Sequence, residues 1–278
     1  MMDAMHQARQ VLERAEALLV GAGAGMGVDS GLPDFRGSEG FWRAYPPFRA
    51  LGLSFEELAN PRWFQEDPSL AWGFYGHRRN LYRRTVPHSG FAILRRWAAR
   101  MPGGSFVFTS NVDGHFQKGG FPDEGVYEVH GAIDYLQCVA SCGAGIQPAG
   151  PEEVVVDETT MRARPPLPAC PGCGALARPN ILMFGDWDFE DRRAEEQAAR
   201  FRQWMTRVEG RRLAIVECGA GTGVPTVRRA CEGVARQGAG SLIRINLRES
   251  QVPAGDVGLA MGARAGLGAL DSLFGRNS

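Results

Sequence analysis

The feature that most constrains the fold is an apolar run that leads directly into a glycine-rich stretch near the N-terminus. Residues 17–20 are Ala-Leu-Leu-Val, and glycines follow at positions 21, 23, 25, 27 and 31. A buried strand ending in such a turn suits close approach of the backbone to a phosphate, because glycine lacks the Cβ that would block contact. The alternative is a tight turn without a ligand, since the Gly-x-Gly-x-x-Gly spacing is not cleanly met. Asp34 and Arg36, which follow Pro33, favour the phosphate interpretation, because a purely structural loop has little use for these charges.

Strand-like and helix-like segments alternate along most of the chain. Further apolar strand segments lie within 105–116, 126–131, 177–186, 211–223 and 241–250, and helical patterns cover 6–17, 89–100, 191–208, 224–238 and 268–275. This alternation predicts an α/β fold with a doubly wound parallel, Rossmann-like sheet. The aromatic-rich segment from about 41 to 88 is interrupted by prolines, and we interpret it as short helices that form a lid over the pocket.

Four of the six cysteines form two closely spaced pairs, C-x3-C and C-x2-C, which are Cys138, Cys142, Cys170 and Cys173. Each pair can present two thiolates from one tight turn, which suits tetrahedral zinc. Two disulfides or four unrelated thiols are the alternatives, and the lack of a secretory signal argues against disulfides. Four thiolates close the coordination sphere, so the predicted metal is structural. Cys218 and Cys231 are interpreted as ordinary buried thiols.

The composition is that of an ordinary globular protein. Lysine plus arginine and aspartate plus glutamate both total 31 in 278 residues, so charge gives no argument for nucleic acid or an acidic membrane surface. No apolar run approaches the roughly 20 residues that a bilayer crossing needs. The N-terminal residues are polar and lack the apolar core of a signal peptide. We therefore expect a cytoplasmic protein.

Polar side chains follow two of the predicted strands where each strand ends. Ser110, Asn111 and Asp113 come after the apolar residues 106–108, and His130 follows the strand that begins at residue 126. Open α/β sheets bind ligands at the carboxyl ends of their strands. These side chains are therefore candidates for a binding or catalytic site.

Taken together, these motifs resemble the sirtuins, a family of NAD-dependent protein deacylases, and suggest a divergent member of bacterial type. GAGMGVDSGLPDFRG (23–37) is similar to the NAD loop of the family, TSNVDGHFQKGG (109–120) to its Thr-Gln-Asn-Ile-Asp segment, and YEVHG (127–131) to its catalytic histidine segment. The cysteines match the zinc module, RPNILMFGD (178–186) the strand that binds the acylated peptide, and Ile-Asn at 245 and 246 a late ribose contact. The resemblance covers almost the whole chain, in order.

The resemblance implies NAD as co-substrate, zinc as a structural ion and an NAD site made of Gly23, Ala24, Gly25, Met26, Asp34, Phe35, Arg36, Ser110, Asn111, Asp113, His130, Gly219, Ala220, Gly221, Thr222 and Asn246. Asn111 and His130 would be the catalytic residues. Asn111 would contact the nicotinamide ribose, and Asp113 the carboxamide. His130 would act as general base on the ribose hydroxyls, for which an unperturbed pKa of about 6.5 is suited.

The resemblance also implies an acylated protein or peptide as substrate, bound by Met183, Phe184 and Gly185. Tyr75 and Arg78 lie three residues apart, and this Tyr-x-x-Arg pair resembles the one with which one sirtuin class holds a negatively charged acyl group. Arginine offers a carboxylate a bidentate fork, and tyrosine adds a hydroxyl. The alternative is a solvated, arginine-rich helix face.

The implied reaction is removal of an acyl group from protein lysine, giving nicotinamide and O-acyl-ADP-ribose. The chain departs from the family pattern at several positions, among them Gly27 in place of serine, Ser110 in place of glutamine and Asp186 in place of glutamate. These changes leave open a protein mono-ADP-ribosyltransferase, an NAD hydrolase, or a non-catalytic module that binds NAD or ADP-ribose. His130 favours deacylation, because that chemistry needs a base after nicotinamide has left.

The predicted organisation has two parts. Residues 1–130 and 179–278 form the NAD-binding, Rossmann-like domain, into which the helical lid of about 41–88 is inserted. Residues 131–178 form a small domain similar to a zinc ribbon.

Overall fold

The computed structural model describes residues 2–33 and 37–274, so Asp34, Phe35 and Arg36 of the predicted NAD loop lie outside the described residues. The described strands are β1 (Ala17–Ala22), β2 (Ser105–Thr109), β3 (Val126–Glu128), β4 (Gly131–Cys138), β5 (Gln147–Pro148), β6 (Val156–Asp157), β7 (Arg162–Ala163), β8 (Ala177–Ile181), β9 (Leu213–Cys218), β10 (Gly240–Ile245) and β11 (Val257–Leu259). The described helices are α1 (Met2–Arg14), α2 (Gly25–Val28), α3 (Gly37–Ala44), α4 (Pro46–Ala50), α5 (Phe55–Leu58), α6 (Trp63–Glu66), α7 (Pro68–Arg84), α8 (Ser89–Ala98), α9 (His115–Lys118), α10 (Arg192–Arg207), α11 (Thr226–Arg236) and α12 (Ala263–Phe274).

The main sheet is parallel throughout, with the strand order β11-β10-β9-β1-β2-β3. Strand β1 is buried along its whole length, as expected for a strand covered on both faces. Leu18 and Val20 pack with α1, α8 and α12 on one face, whereas Ala17 and Leu19 pack with α10 and α11 on the other. The predicted doubly wound α/β fold is therefore confirmed.

The topological switch point of the sheet lies between β1 and β9: β2 and β3 follow β1 toward one edge, and β10 and β11 follow β9 toward the other. Strands β1 and β9 pair along their full length, from Ala17 and Leu213 to Ala22 and Cys218. Chain connections leave this point toward opposite edges of the sheet. In open α/β sheets, the loops after such strands separate and leave a crevice at the carboxyl edge. Here the two diverging loops are the glycine-rich segments that follow Ala22 and Cys218.

Helices α3 to α7 and the cysteine-containing segment share one hydrophobic core. Buried Trp72 of α7 donates from Nε1 to the carbonyl oxygen of Ala177 at 2.9 Å. A Cβ on Gly73 would overlap the carbonyl oxygen of Met161, so β7 and α7 are in direct backbone contact. Val154 and Met161 lie in the same cluster as the aromatic rings of the helices. The lid segment and the cysteine segment therefore pack as one unit, the small lobe.

Strand β8 (Ala177–Ile181) pairs antiparallel with β4, which also pairs with β5. The predicted boundary between residues 178 and 179 thus falls inside a strand of the small sheet. The division into two domains stays a prediction.

Helix boundaries differ from the sequence expectation where a neighbouring element begins. The predicted helix 6–17 is α1 (Met2–Arg14), because Ala17 already belongs to β1. The predicted terminal helix 268–275 begins five residues earlier, at Ala263. Among the described residues, none of the helices has both the length and the apolarity that a bilayer crossing needs.

Candidate active site

A cleft of about 580 Å³ lies at the carboxyl edge of the main sheet, between the sheet and the small lobe. Nine of the predicted site residues line it: Ala24, Tyr75, Arg78, Ser110, Asn111, Asp113, His130, Met183 and Phe184. Its size is within the range of 300–1,000 Å³ that is typical of ligand pockets. The structure thus brings residues that are distant in sequence into one concave surface.

The glycines of the first loop pack directly against the loop after β9. A Cβ on Gly23 would lie 2.7 Å from Cα of Ala220, and one on Gly25 would lie 2.8 Å from Cα of Gly219. Gly25 N–H donates to the carbonyl oxygen of Gly219 at 3.0 Å, and Gly219 itself has a φ of +63°. These glycines are therefore required by contact between two loops, a reason that the phosphate interpretation did not include.

Asn246 joins the loop after β9 to the loop after β10. Its Nδ2 donates to the carbonyl oxygen of Ala220 at 2.8 Å, and its Oδ1 accepts from the backbone N–H groups of Arg248 and Glu249. Glu249 in turn accepts from the hydroxyl and the N–H of Thr222. Asn246 is 1% exposed, and its amide is bonded within the protein. Gly221 and Thr222 lie on this braced loop. Besides Asn246, seven of the predicted NAD residues that the structure describes are outside the lining of the cleft: Gly23, Gly25, the buried Met26, Gly219, Ala220, Gly221 and Thr222.

Asn111 is held against the first glycine loop. Its Nδ2 donates to the carbonyl oxygen of Gly23 at 3.0 Å, and its N–H donates to Thr109 Oγ1 at 3.0 Å. Asp113 accepts from the N–H of His115 at 2.9 Å through Oδ1. Hydrogen bonds within the protein therefore orient both side chains after the end of β2.

His130 lies in the turn after β3 and lines the cleft. Burial lowers its pKa below the usual 6.5, although a hydrogen bond with the backbone of Ser110 acts in the opposite direction. Nε2 lies 3.5 Å from Thr226 Oγ1 on α11. At neutral pH the imidazole is uncharged, so one ring nitrogen is available to accept a proton.

This shift gives the expected pH dependence of the reaction. If neutral His130 accepts a proton, kcat/KM should be constant from pH 7 to pH 8 and should fall only below pH 6.5, where the imidazole becomes protonated. An initial-rate pH profile measures this. A decrease that already begins above pH 7 would contradict a lowered pKa of an essential base.

Strand β3, which precedes the turn that contains His130, is held by α10. Arg193 Nη2 donates to Glu128 Oε2 at 2.5 Å, and Gln197 Oε1 accepts from the Glu128 N–H at 3.0 Å. Glu128 is 2% exposed, and this burial raises its pKa despite the neighbouring arginine. Helix α10 thus supports the end of β3 from behind the cleft.

Helix α7 forms the opposite wall, with Tyr75, Arg78 and Tyr82 facing the cleft. Arg78 is 6% exposed, donates from Nε to the Tyr82 hydroxyl at 3.0 Å and lies 5.0 Å from the Phe74 ring centroid. Burial lowers the pKa of Arg78, but the hydroxyl groups of Tyr82 and Tyr75 raise it by more, so the guanidinium keeps its charge. The solvated-face alternative is wrong for this residue.

A buried ion pair shapes the loop that carries Met183, Phe184 and Gly185. Asp186 accepts two hydrogen bonds from Arg178, at 2.7 and 2.8 Å, and both side chains are almost fully buried. Such a bidentate pair is geometrically specific. Phe184 N–H donates to the Ala59 carbonyl oxygen at 2.9 Å, which ties the loop to the small lobe. Gly185 has a φ of +67° and lies just outside the lining of the cleft.

The four paired cysteines form one cluster in which all Sγ atoms lie within 4.8 Å of one another. Cys138 and Cys173 are 3.6 Å apart, as are Cys142 and Cys170. With Zn–S bonds of about 2.3 Å, the edges of a tetrahedron are about 3.8 Å, so the thiols fit a zinc ion. The turns predicted beside each pair are present, since Gly143 and Gly174 both have positive φ.

Sequence reasoning missed Tyr82, Phe55 and Thr226. Tyr82 lies four residues after Arg78 and seven after Tyr75, so helical spacing alone could have placed all three on one face. Phe55 follows the capping residue of a four-residue helix, and Thr226 reaches His130 across 96 residues of chain. No local pattern indicates either position.

Comparisons with known proteins agree with this geometry. The model of the Sir2 family matches residues 23–203. "NAD-dependent protein deacylase sirtuin-5, mitochondrial" of Danio rerio is 34% identical over 193 residues, which are 64% of this chain and 60% of that protein. "NAD-dependent protein deacylase 2" of Pyrobaculum aerophilum is 32% identical over 250 residues, 89% of this chain and 86% of that protein. A mutant Sir2 homologue in complex with ADP-ribose superposes with a TM-score of 0.70 at 25% identity, covering 96% of this chain and 95% of that one.

Proposed function

The chain belongs to the Sir2 family, and we propose that it removes acyl groups from protein lysine with NAD as co-substrate, releasing nicotinamide and O-acyl-ADP-ribose. The observation that carries this proposal is the cleft itself, in which His130, whose pKa is lowered by burial, lies with Asn111 and Asp113 opposite a helix that presents Arg78. The names of the relatives support the same activity. The chain spans only about 60% of the length of the Danio rerio protein, so substrate and partner are proposed for this chain on its own geometry.

The residues at the carboxyl edge fit a dinucleotide. Ala24 is exposed on the first glycine loop, and Gly223 lines the cleft with nothing within 4 Å of the position a Cβ would take. NAD, when bound, supplies the ribose carbon that receives the acyl oxygen as nicotinamide leaves. Asn111 and Asp113 would orient the ribose and the carboxamide, and the remaining predicted NAD contacts stay predictions.

His130 would take up the proton of a ribose hydroxyl during acyl transfer. Its lowered pKa keeps it in the basic form at neutral pH, and Glu128 with α10 holds the end of the strand that positions it. The cysteine cluster would hold a structural zinc ion. Because four thiolates complete a tetrahedral sphere, this ion would take no part in the reaction.

We further propose that the acyl group is acidic, such as succinyl. Arg78 brings a positive charge into an otherwise aromatic wall, and Tyr75 and Tyr82 place hydroxyl groups beside it. A carboxylate at the end of the acyl chain would meet this charge in a largely desolvated site, where a charge-assisted hydrogen bond is strong. An acetyl group would leave the guanidinium without that partner.

Replacing Arg78 tests this selectivity. Arg78→Met should lower kcat/KM for a succinyl-lysine peptide by about 10- to 150-fold, because a hydrogen bond to a charged group contributes about 1.5–3 kcal/mol. The rate with an acetyl-lysine peptide should change much less. Arg84→Met removes an exposed arginine from the same helix and should leave both rates unchanged. Equal losses for both peptides in the Arg78 variant would contradict a role in acyl selection.

Product analysis distinguishes the proposed activity from its alternatives. The protein is incubated with NAD and matched acetyl-, succinyl- and long-chain acyl-lysine peptides, and the nucleotide products are identified by mass spectrometry. O-acyl-ADP-ribose supports deacylation, and its formation from the succinyl peptide alone also supports the acidic pocket. An ADP-ribosylated protein indicates a mono-ADP-ribosyltransferase, free ADP-ribose alone an NAD hydrolase, and unconsumed NAD a binding module.

The partner implied by this proposal is an acylated protein or peptide that lies across Met183 and Phe184. The cytoplasmic location and the absence of nucleic-acid and membrane partners stay predictions.

A further inference from the structure

Lys118 is the single lysine of the sequence, in which lysine and arginine together number 31. It ends the short helix α9 (His115–Lys118) and is exposed. Its Nζ donates to the carbonyl oxygens of Arg83 and Thr85, both at 2.6 Å. The one primary amine carried by a side chain in this protein is therefore bonded to the C-terminal end of α7.

The end of α7 needs such a donor. In a continuing helix the Arg83 carbonyl would accept from the residue four positions later, but that residue is Pro87, which has no N–H. A positive charge at this end also interacts favourably with the helix dipole. His115 of α9 adds a contact of 3.4 Å between its Nε2 and the Tyr82 carbonyl oxygen. Helix α9 thus binds the last turn of α7 through two side chains.

This contact links the two sides of the cleft. Helix α7 supplies Tyr75, Arg78 and Tyr82, whereas α9 directly follows the segment that supplies Asn111 and Asp113. Releasing the last turn of α7 would loosen Tyr82, which lies in that turn and bonds Arg78.

We propose that Lys118 is an acylation site, and that transfer of an acyl group to its Nζ from an acyl thioester releases the last turn of α7. The consequence for catalysis, a weaker affinity of the cleft for acyl-lysine substrate, rests on the proposed function. In the transfer, the neutral amine attacks the thioester carbonyl, the C–N bond forms, and the C–S bond breaks. The thiol leaves with the proton that the amine loses.

Acylation opposes the contact for two reasons. The amine must first leave both carbonyl groups, so the reaction captures the open conformation. The resulting amide is uncharged and keeps one N–H of the three ammonium donors, so at most one of the two carbonyl groups can regain its hydrogen bond.

The test uses the whole folded chain, loaded with zinc, and succinyl-coenzyme A as the acyl donor, followed by peptide mapping with mass spectrometry. We expect modification at Lys118, and hydrogen exchange of the amides of residues 82–86 that is about tenfold faster than in the unmodified protein. Lys118→Gln should show the same faster exchange without the acyl donor. Lys118→Arg keeps the charge and should exchange at the wild-type rate.

A Lys118 that stays unmodified under conditions that acylate the urea-unfolded chain would overturn the proposal, as would an acylated chain with unchanged exchange. In an active enzyme, acylation should raise KM for the peptide several-fold more than it changes kcat. Hydrogen exchange does not require turnover, so an inactive protein that still shows the faster exchange would contradict the proposed function alone.

Discussion

Replacing His130 by alanine is expected to lower kcat for deacylation by about 10²- to 10⁴-fold, the range that general acid–base catalysis contributes. The NAD dissociation constant should change by no more than about threefold, because a tenfold change requires the loss of about 1.4 kcal/mol of binding free energy. His130 is one of many residues that line the cleft, and the loops of the proposed dinucleotide site are braced by other groups, among them Asn246 and Glu249. The substitution therefore removes the base and leaves the binding surface in place.

Two measurements make this result specific. Isothermal titration with NAD and a thermal-unfolding curve show whether the variant still binds and folds. His6→Ala, an exposed histidine of α1, is the matched control and should retain wild-type kcat. A His130→Ala protein with undiminished turnover would exclude His130 as the base. A variant that loses NAD binding together with activity would instead assign His130 a binding role.

Removal of the metal is expected to have the largest effect on stability. We expect one zinc ion per chain, and a chelator should unfold at least the small lobe. Structural zinc contributes about 10–16 kcal/mol in small zinc modules, which is comparable to the whole stability of a typical domain. Metal analysis and circular dichroism before and after chelation measure both quantities.

Loss of zinc should also abolish activity. This holds although none of the four cysteines is among the described residues that line the cleft. Strand β4 ends at Cys138, which pairs with Ala177 at the start of β8, and the Ala177 carbonyl accepts from Trp72 of α7. Unfolding of this segment would remove the support of the helix that carries Arg78.

Cysteine variants separate metal binding from simple loss of a thiol. Cys170→Ala should purify without bound zinc, whereas Cys218→Ala, which removes a buried thiol from β9, should keep one zinc ion per chain. Wild-type zinc content in the Cys170 variant would contradict the four-cysteine site. So would a metal-free chain that unfolds at the same temperature as the loaded one.

Much of the fold was predictable because its signals are local. Four apolar residues in a row at 17–20, followed by closely spaced glycines, indicate a strand and its turn without any knowledge of the partner strands. The cysteine pairs indicate a metal site through spacing alone, and Tyr75 with Arg78 indicates a helix face. Each of these patterns lies within a few residues.

The missed features depend on contacts between distant segments. Strand β11 (Val257–Leu259) has only three residues with a central glycine, so no periodicity indicates it, and it forms because it completes the edge beside β10. The close packing of Gly23 and Gly25 on the loop after β9 depends on a segment almost 200 residues away. The shared core of the lid and the cysteine segment likewise appears only when α7 and β7 are in contact.

Quantifying three products of one reaction tests the proposed function most directly. The zinc-loaded protein is given NAD and the acyl-lysine peptide that it turns over fastest, and nicotinamide, free lysine peptide and O-acyl-ADP-ribose are measured over time. We predict that the three products appear in equal amounts and that none forms without NAD. Nicotinamide released in excess, or deacylated peptide formed without O-acyl-ADP-ribose, would contradict an NAD-dependent deacylase.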